Sequence, residues 1–280
     1  MLVEKTAAPT PPVEDVTDEV VELTDVPAAI VCAACGKPEC AGCAEDDLGG
    51  KTRSGVVVFV PWERPGGSVW GRLWSTTRAS TEGAESFFAA MPEGPIAPAL
   101  TFAVSGEAVA VGTSLLAIAG ALGGGVMLLF PELASAAMLD PRWRAVGGRV
   151  IVAAWVAFTV MLVSAHALHG VTLDRAARRE GAKGDMTRAL RFGLYAVGWD
   201  VATSPFGIVV GLLSGGPNAL RAAHNHAFRT PGRATAAMLR GIYGLTPEPA
   251  ARARARSMTI TGPLSVLAVI AALAAIALAA

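Results

Sequence analysis

The sequence predicts an all-α integral membrane protein with three to five transmembrane helices, one of them broken or re-entrant, and a small N-terminal four-cysteine segment that resembles a zinc knuckle. Apolar runs of about the length that a bilayer requires, roughly 20 residues, separate charged loops in the later part of the chain. Of the 280 residues, 52% are hydrophobic, and the charges are concentrated in the first hundred residues and a few loops. All four cysteines lie between Cys32 and Cys43.

The N-terminal residues 1–30 predict a disordered acidic tail, because they combine proline and threonine with many carboxylates. This region lacks the basic start, apolar core and cleavage site of a secretory signal. We therefore expect a cytoplasmic N-terminus and a location in the inner (plasma) membrane. The formal net charge is zero and no basic face with interleaved aromatic residues appears, so nucleic acid is not an expected partner.

Residues 31–62 predict a zinc-binding segment. Their cysteines follow the spacing C-x2-C-x4-C-x2-C, at Cys32, Cys35, Cys40 and Cys43. Two such pairs supply four thiolates to a tetrahedral Zn²⁺, and so small a segment cannot fold on apolar burial alone. The alternatives are disulfides or unliganded thiols, of which a reducing cytosol disfavours the former, and an iron–sulfur cluster, whose familiar motifs use other spacings.

Residues 63–96 predict an amphipathic region at the membrane surface, preceded by one short strand and a turn. Trp70, Leu73, Trp74 and Thr77 fall on one side of a helix, and tryptophan favours the boundary between hydrocarbon and headgroups. The alternative is a helix that packs on a soluble partner.

Residues 97–280 predict a multipass membrane domain with four apolar segments. The first, from about Pro98 to Phe130, is too long for one upright helix, so it must tilt, break near Gly123–Gly125 or begin outside the membrane. The second begins at Val150 and carries no formal charge, and the fourth ends the chain.

The third apolar segment, Phe192–Ser214, contains an acid and a proline. Asp200 lies near its middle, where an acid costs about 2.5–3.5 kcal/mol, and Pro205 interrupts the backbone hydrogen bonds. Both flanking loops are rich in arginine, and the positive-inside rule places both in the cytoplasm. We favour a hinge near Thr203–Ser204–Pro205 over a full crossing with a translocated basic loop.

The loop after the third segment predicts a helix that begins near Thr230 and Pro231 and stops at Gly244. Its arginines and those beside the last span are expected to attract anionic headgroups of membrane lipids. Small residues around Gly123–Gly125 permit close helix packing, and self-association into a homo-oligomer is a further expectation.

A polar site inside the membrane is predicted from ionisable residues in apolar segments. His166 and His169 lie three residues apart on one helix face, and with Asp200 and Glu107, or Asp174, they could bind a divalent metal or relay protons. The alternative is that the imidazoles bond neighbouring backbone or sit at the interface.

Asp200 is expected to have a buried partner, either Arg191 or a histidine. His224 and His226 alternate in a loop or helix and are expected to lie in an ordinary polar loop. Ser204 lacks a credible base, and no GxSxG or HExxH motif occurs, so the sequence predicts no enzyme.

Two stretches, "WERPGGSVWGRLWSTT" and "ESFFAAMPEGPIAPALTF" leading into the first span, resemble bacterial multipass proteins of the YIP-domain type. Some of these proteins look similar in also placing a CxxC-type zinc loop in a cytosolic N-terminal region. The family usually has five spans, whereas this sequence has three clear ones and one broken one. The resemblance implies a membrane scaffold or trafficking-type role.

The leading hypothesis is a non-catalytic inner-membrane protein whose zinc segment docks a cytosolic partner in a scaffold or membrane-organising role. The alternative is a small transporter or channel that uses the acid and histidine site for an ion or proton. A lipid-modifying enzyme would need a nucleophile or metal triad that the sequence does not show.

Overall fold

The computed structural model describes residues 31–32, 56–57 and 59–279, and within these ranges the chain is predominantly helical. Two short strands, β1 (Val31–Cys32) and β2 (Val56–Val57), pair antiparallel, and a single 3-10 turn follows at Pro61–Glu63. The helices are then α1 (Val69–Thr81), α2 (Ala84–Ala89), α3 (Ile96–Leu129), α4 (Pro131–Leu139), α5 (Pro141–Arg179), α6 (Met186–Ala196), α7 (Gly198–Thr203), α8 (Pro205–Gly215), α9 (Asn218–Phe228), α10 (Thr230–Gly241) and α11 (Pro247–Ala279).

Three of these helices, α3, α5 and α11, are long and apolar enough to cross a membrane. They contain 34, 39 and 33 residues. At ~1.5 Å per residue each reaches ~50 Å or more, which exceeds the ~30 Å hydrocarbon thickness of a bilayer. The protein is therefore a membrane protein by the length and composition of these helices, and each helix has length left over for packing outside the bilayer.

One end of each long helix packs with the shorter helices α1, α2, α6, α7 and α10 around a common core. We call this group of packed helices the head. Within α3 the buried residues run from Ala99 to Val111, whereas large apolar side chains are exposed from Leu116 to the helix end. In α11 the buried positions near the start include Ala253 and Ser257, and exposed apolar residues follow from Met258. Each of these helices thus combines one half that packs in the head with one half suited to contact lipid.

The helix α3 is unbroken through Gly123–Gly125, so the break that the sequence allowed there does not form. Of the sequence-based options, the helix instead begins inside the packed head. Glycine costs a helix only about 1 kcal/mol per residue, and α3 starts where Ala99 and Phe102 bury completely. Because the first half of α3 is packed in the head, the helix can be longer than the bilayer is thick without bending at its glycines.

The head is built around aromatic side chains. Phe88 packs edge-on against Phe192 at 4.8 Å between ring centroids, and Phe102 lies 5.3 Å from Tyr195. Much of the region predicted to be interfacial packs here: Leu73, Phe87 and Phe88 are buried, while Trp70 keeps 61% of its surface exposed. Only the first turn of α1 retains the exposed tryptophan expected of a surface-seeking helix.

The third apolar segment is bent where the sequence predicts a hinge. The pair formed by Met186–Thr203 and Pro205–Gly215 turns by 69° at Ser204. Pro205 opens α8 because its missing N–H costs nothing at the first turn of a helix, and the Ser204 hydroxyl accepts a hydrogen bond from the Gly207 N–H at 3.3 Å. Proline and a capping serine therefore end one helix and start the next.

The helices α9 and α10 follow the bent pair. The prediction of a polar loop at His224 and His226 is wrong, because both residues lie in the helix α9. The Nδ1 atom of His226 lies 3.4 Å from the Thr230 hydroxyl oxygen. The predicted helix at Thr230 is α10, with Pro231 in its first turn and Gly244 at a φ of 64° beyond its end. It packs against α2, and its Met238 is fully buried.

Candidate functional site

Three ionisable side chains from three helices meet beside the apolar half of the bundle. His166 of α5 has its Nε2 atom 2.7 Å from Asp200 Oδ2 of α7 and 3.5 Å from Glu107 Oε1 of α3. One ligand atom from each residue lies within 4.8 Å of the others. We call these residues the acid–histidine cluster.

Close backbone contact between helices brings Asp200 level with His166. Gly193 of α6 faces the His166 carbonyl, and a Cβ atom at Gly193 would lie 2.1 Å from that oxygen. One helical turn after His166 in α5, a Cβ atom at Gly170 would lie 2.2 Å from the Ala189 carbonyl oxygen of α6. Only glycine permits this approach of α6 to α5. In the sequence, Gly170 and Gly193 therefore indicate the site as well as the charged residues do, because they allow the close approach of α6 to α5.

The position of the cluster along the helices is asymmetric. His166 precedes the first basic residue at the head end, Arg175, by nine positions, or ~14 Å of helix. Arg149, towards the other end of α5, is 17 positions or ~26 Å away. The cluster thus lies within the uncharged stretch of α5, on the side nearer the head.

Glu107 is the member of the cluster with the strongest physical demand for a ligand. Its side chain is 0% exposed, and neither carboxylate oxygen has a hydrogen-bond partner among the described residues. A carboxylate buried without hydrogen bonds is strongly unfavourable in an apolar environment. Without a cation such a group takes up a proton, and a bound cation would replace that proton.

The geometry of the cluster suits a transition-metal ion. Two ligand atoms that each lie ~2.1 Å from a metal and subtend roughly 110° are separated by about 3.5 Å. The distance from His166 Nε2 to Glu107 Oε1 is 3.5 Å. The 2.7 Å contact between His166 and Asp200 is a direct hydrogen bond, which must lengthen when a metal is inserted between them.

A cleft of about 340 Å³ adjoins the cluster. Glu107 and Asp200 lie on its wall together with the hydroxyl-bearing residues Ser114, Thr203 and Ser204, and the remaining lining is apolar. The hydroxyls of Ser114 and Thr203 donate to helix carbonyls at 2.7 and 2.9 Å, which leaves their oxygens able to accept or to ligate. The cleft therefore provides both access and additional oxygen ligands.

An aromatic support holds the cluster from the side of the head. The Trp199 ring lies 6.4 Å from His166, and its indole N–H donates to the Ser80 carbonyl at 2.8 Å. Trp199 also packs edge-on against Phe88 and Phe192. The residue before Asp200 is thus fixed to α1, which limits the movement of the carboxylate.

Of the four residues predicted for the intramembrane site, the structure brings together Glu107, His166 and Asp200. His169 lies one turn away, its ring is 5.9 Å from Phe192, and its Nδ1 atom is buried without a hydrogen-bond partner among the described residues. Asp174, the other acid considered, belongs to a separate network: it accepts hydrogen bonds from Arg178, the Asp185 N–H and Tyr243.

Of the two partners expected for Asp200, a histidine or Arg191, the structure shows a histidine, His166. The fully buried Arg191 donates to the Pro95 carbonyl at 2.7 Å and pairs with Glu63 at 2.8 Å. Tyr195 donates to the same Glu63 at 2.5 Å. The contacts of Glu63 with Arg191 and Tyr195 could not be predicted from the sequence, because Glu63 is 128 positions from Arg191.

The predicted zinc ligands lie mainly outside the described residues. Cys32 ends β1, and its side chain is not described; Cys35, Cys40 and Cys43 fall outside the described ranges. The zinc segment therefore stays a prediction from cysteine spacing.

Comparison of this chain with protein-family models, with curated proteins and with solved structures found no match. The resemblance to YIP-type proteins accordingly stays a prediction, and the geometry of the cluster carries the functional argument.

Proposed function

We propose that this protein is a small inner-membrane transporter that binds a divalent transition-metal cation at Glu107, His166 and Asp200. The observation that carries the proposal is the fully buried Glu107 carboxyl group, which has no hydrogen-bond partner among the residues that the structure describes and lies 3.5 Å from an imidazole nitrogen. This function corresponds to the transporter alternative of the sequence analysis. The same function requires no catalytic nucleophile.

The class of cation follows from the ligand types. Two carboxylates and one imidazole suit Mn²⁺, Fe²⁺, Co²⁺ or Zn²⁺, whereas Mg²⁺ and Ca²⁺ favour sites made of oxygen alone. A divalent ion also balances the formal charge of two carboxylates beside a neutral histidine. Such neutralisation matters most where apolar helices surround the site.

The bent helix supports transport over a purely structural ion site. Asp200 lies four positions before the break at Ser204, and the residues of the break line the cleft. Transporters commonly place coupling-ion sites at discontinuous helices, where the C-terminal carbonyls carry partial negative charge that favours a cation. The bend therefore provides a site that can change shape when the ion binds or leaves.

Mn²⁺ uptake into proteoliposomes tests this proposal. Mn²⁺ is the suitable probe because a four-cysteine segment favours zinc over this harder ion. We expect the unaltered protein to take up Mn²⁺ faster than empty liposomes do. The variants Glu107→Gln and His166→Ala should take it up only at the rate of empty liposomes. His169→Ala is the matched control and should keep at least about half of the rate, because His169 lies outside the cluster. Uptake that persists in Glu107→Gln would refute the assignment.

The cysteine spacing favours a second function. We propose that Cys32, Cys35, Cys40 and Cys43 bind Zn²⁺ on the cytoplasmic side and that the resulting segment docks a cytosolic protein, in the scaffold role that the YIP resemblance implies. Elemental analysis of reduced Glu107→Gln protein, in which the acid–histidine cluster is disabled, should find one zinc per chain, and adding Cys32→Ser or Cys40→Ser should abolish it together with partner capture. Retention of zinc in both variants would contradict the ligand set.

A further inference from the structure

The helices α8 and α9 present large apolar side chains outward, away from the head. Leu213 is 84% exposed and Val209 is 54% exposed on α8, and Phe228 is 76% exposed on α9. A soluble protein rarely exposes a contiguous group of such residues. Something apolar must cover this surface in the native environment.

The position of α8 indicates that acyl chains provide the cover. α8 packs against α3, and the residues of the bend line the same cleft as Leu115 and Ile118 of α3. Of these, Ile118 is 55% exposed and belongs to the half of α3 that is apolar and exposed. The outward face of α8 is therefore continuous with a lipid-facing surface.

The chain before α6 and the chain after α10 meet at one end of the molecule. Tyr243 donates a hydrogen bond to the Asp185 carbonyl at 3.2 Å, and Arg252 pairs with Glu180 at 2.9 Å. If the chain crossed the membrane completely between Asp185 and Tyr243, these two residues would lie on opposite sides of the hydrocarbon layer, ~30 Å apart. In addition, α8 contains 11 residues and is only ~16 Å long, about half the hydrocarbon thickness.

The polar side of α9 suits lipid phosphates. Arg221 and Arg229 are exposed near the two ends of α9, and neither has a carboxylate oxygen within 4.0 Å among the described residues. Exposed arginine next to an apolar membrane-facing helix attracts anionic headgroups. Charge and apolar surface thus point to the same partner.

We propose that α8 and α9 form a re-entrant hairpin that enters only the leaflet on the side of the head, with α8 among acyl chains and with Arg221 and Arg229 bound to lipid phosphates. Both arginine-rich loops then share one side of the membrane, and only α3, α5 and α11 cross it among the described helices. This inference is independent of the metal site.

Photo-crosslinking tests the position of α8. A benzophenone amino acid is placed at Leu213, at Leu128 as a lipid-facing control on α3 and at Arg240 as a control on α10, in nanodiscs of phosphatidylglycerol and phosphatidylethanolamine. We expect mass spectrometry to find lipid adducts at Leu213 and Leu128 and fewer at Arg240. Adducts to another protein chain in place of lipid at Leu213, or no lipid adduct there, would overturn the hairpin.

Cysteine labelling tests the topology. A cysteine is introduced singly at Lys183, Arg240 or Arg144 and labelled in proteoliposomes with a membrane-impermeant maleimide, and peptide mapping separates it from the native cysteines. Lys183→Cys and Arg240→Cys should be labelled from one side, and Arg144→Cys from the other. Labelling of Arg240→Cys and Lys183→Cys from opposite sides would establish a full crossing and refute the proposal.

Charge removal tests the phosphate contacts. Arg221→Gln and Arg229→Gln should each lower the share of phosphatidylglycerol among the Leu213 adducts by about fivefold. Arg179→Gln, which removes an exposed charge at the end of α5, should leave that share unchanged. An unchanged share in both α9 variants would overturn the assignment of these arginines.

Discussion

The substitution Gly193→Ala should disrupt the acid–histidine cluster without removing any of its side chains. A Cβ atom at this position would lie 2.1 Å from the His166 carbonyl oxygen, whereas ordinary contact begins at 3.4 Å. The helix α6 must therefore move by about 1.3 Å, because the obstructing atom is backbone of a packed helix and cannot rotate away. Such overpacking typically costs about 1–3 kcal/mol.

The displacement reaches the site because α6 continues into α7 through Val197. Movement of α7 separates Asp200 from His166, whose contact is 2.7 Å. A loss of 1–3 kcal/mol in binding corresponds to an Mn²⁺ affinity lower by about 5–150-fold. The melting temperature in detergent and the free-Mn²⁺ signal in an electron paramagnetic resonance titration report the two effects separately.

Gly124→Ala is the matched control, since a Cβ atom at Gly124 of α3 meets nothing within 4 Å. We expect this variant to melt and to bind Mn²⁺ like the unaltered protein. If Gly193→Ala also does so, close packing of α6 on α5 does not position the cluster, and the reasoning fails.

Three further predictions concern buried charges and hydroxyls. In a chelator, Glu107→Gln should melt like the unaltered protein while failing to bind Mn²⁺, because a buried carboxyl group without a cation takes up a proton and the amide then replaces a neutral group of the same shape; a clearly lower melting temperature would show that the carboxylate is ionised and paired in the metal-free protein. Arg191→Met should destabilise the fold by about 3–5 kcal/mol, since it leaves Glu63 without its buried partner, and denaturant unfolding of the double variant with Glu63→Gln should recover part of this loss. Burial and then the Asp174 carboxylate raise the pKa of the Tyr243 hydroxyl in the folded protein. The hydroxyl therefore contributes fully to folding stability at pH values below about 10, the ordinary pKa of tyrosine, and this contribution is lost as the pH rises further. Tyr243→Phe should therefore cost about 1 kcal/mol at neutral pH and remove this alkaline loss of stability in a pH series of melts.

Features set by neighbouring residues could be predicted from the sequence. The long apolar helices follow from local hydropathy, and the bend at Ser204 follows from Pro205 beside a capping serine. The members of the cluster were identifiable because ionisable residues inside apolar segments are costly and need partners.

Features that depend on distant contacts could not be predicted. The pairing of Arg191 with Glu63 joins segments 128 positions apart, and no periodicity marks it. The packing of α2 likewise depends on Phe88 meeting Phe192. The burial of α3 decides whether Gly123–Gly125 bends, and that burial is a property of the assembled head.

The central claim is that Glu107, His166 and Asp200 bind one divalent cation. Pulsed electron paramagnetic resonance on the Mn²⁺-loaded protein in nanodiscs tests it most directly, because it detects nitrogen nuclei bonded to the ion. We predict one bound Mn²⁺ per chain with coupling to a single imidazole, retained in His169→Ala and lost in His166→Ala. The absence of nitrogen coupling in the unaltered protein, or its persistence in His166→Ala, would contradict the claim.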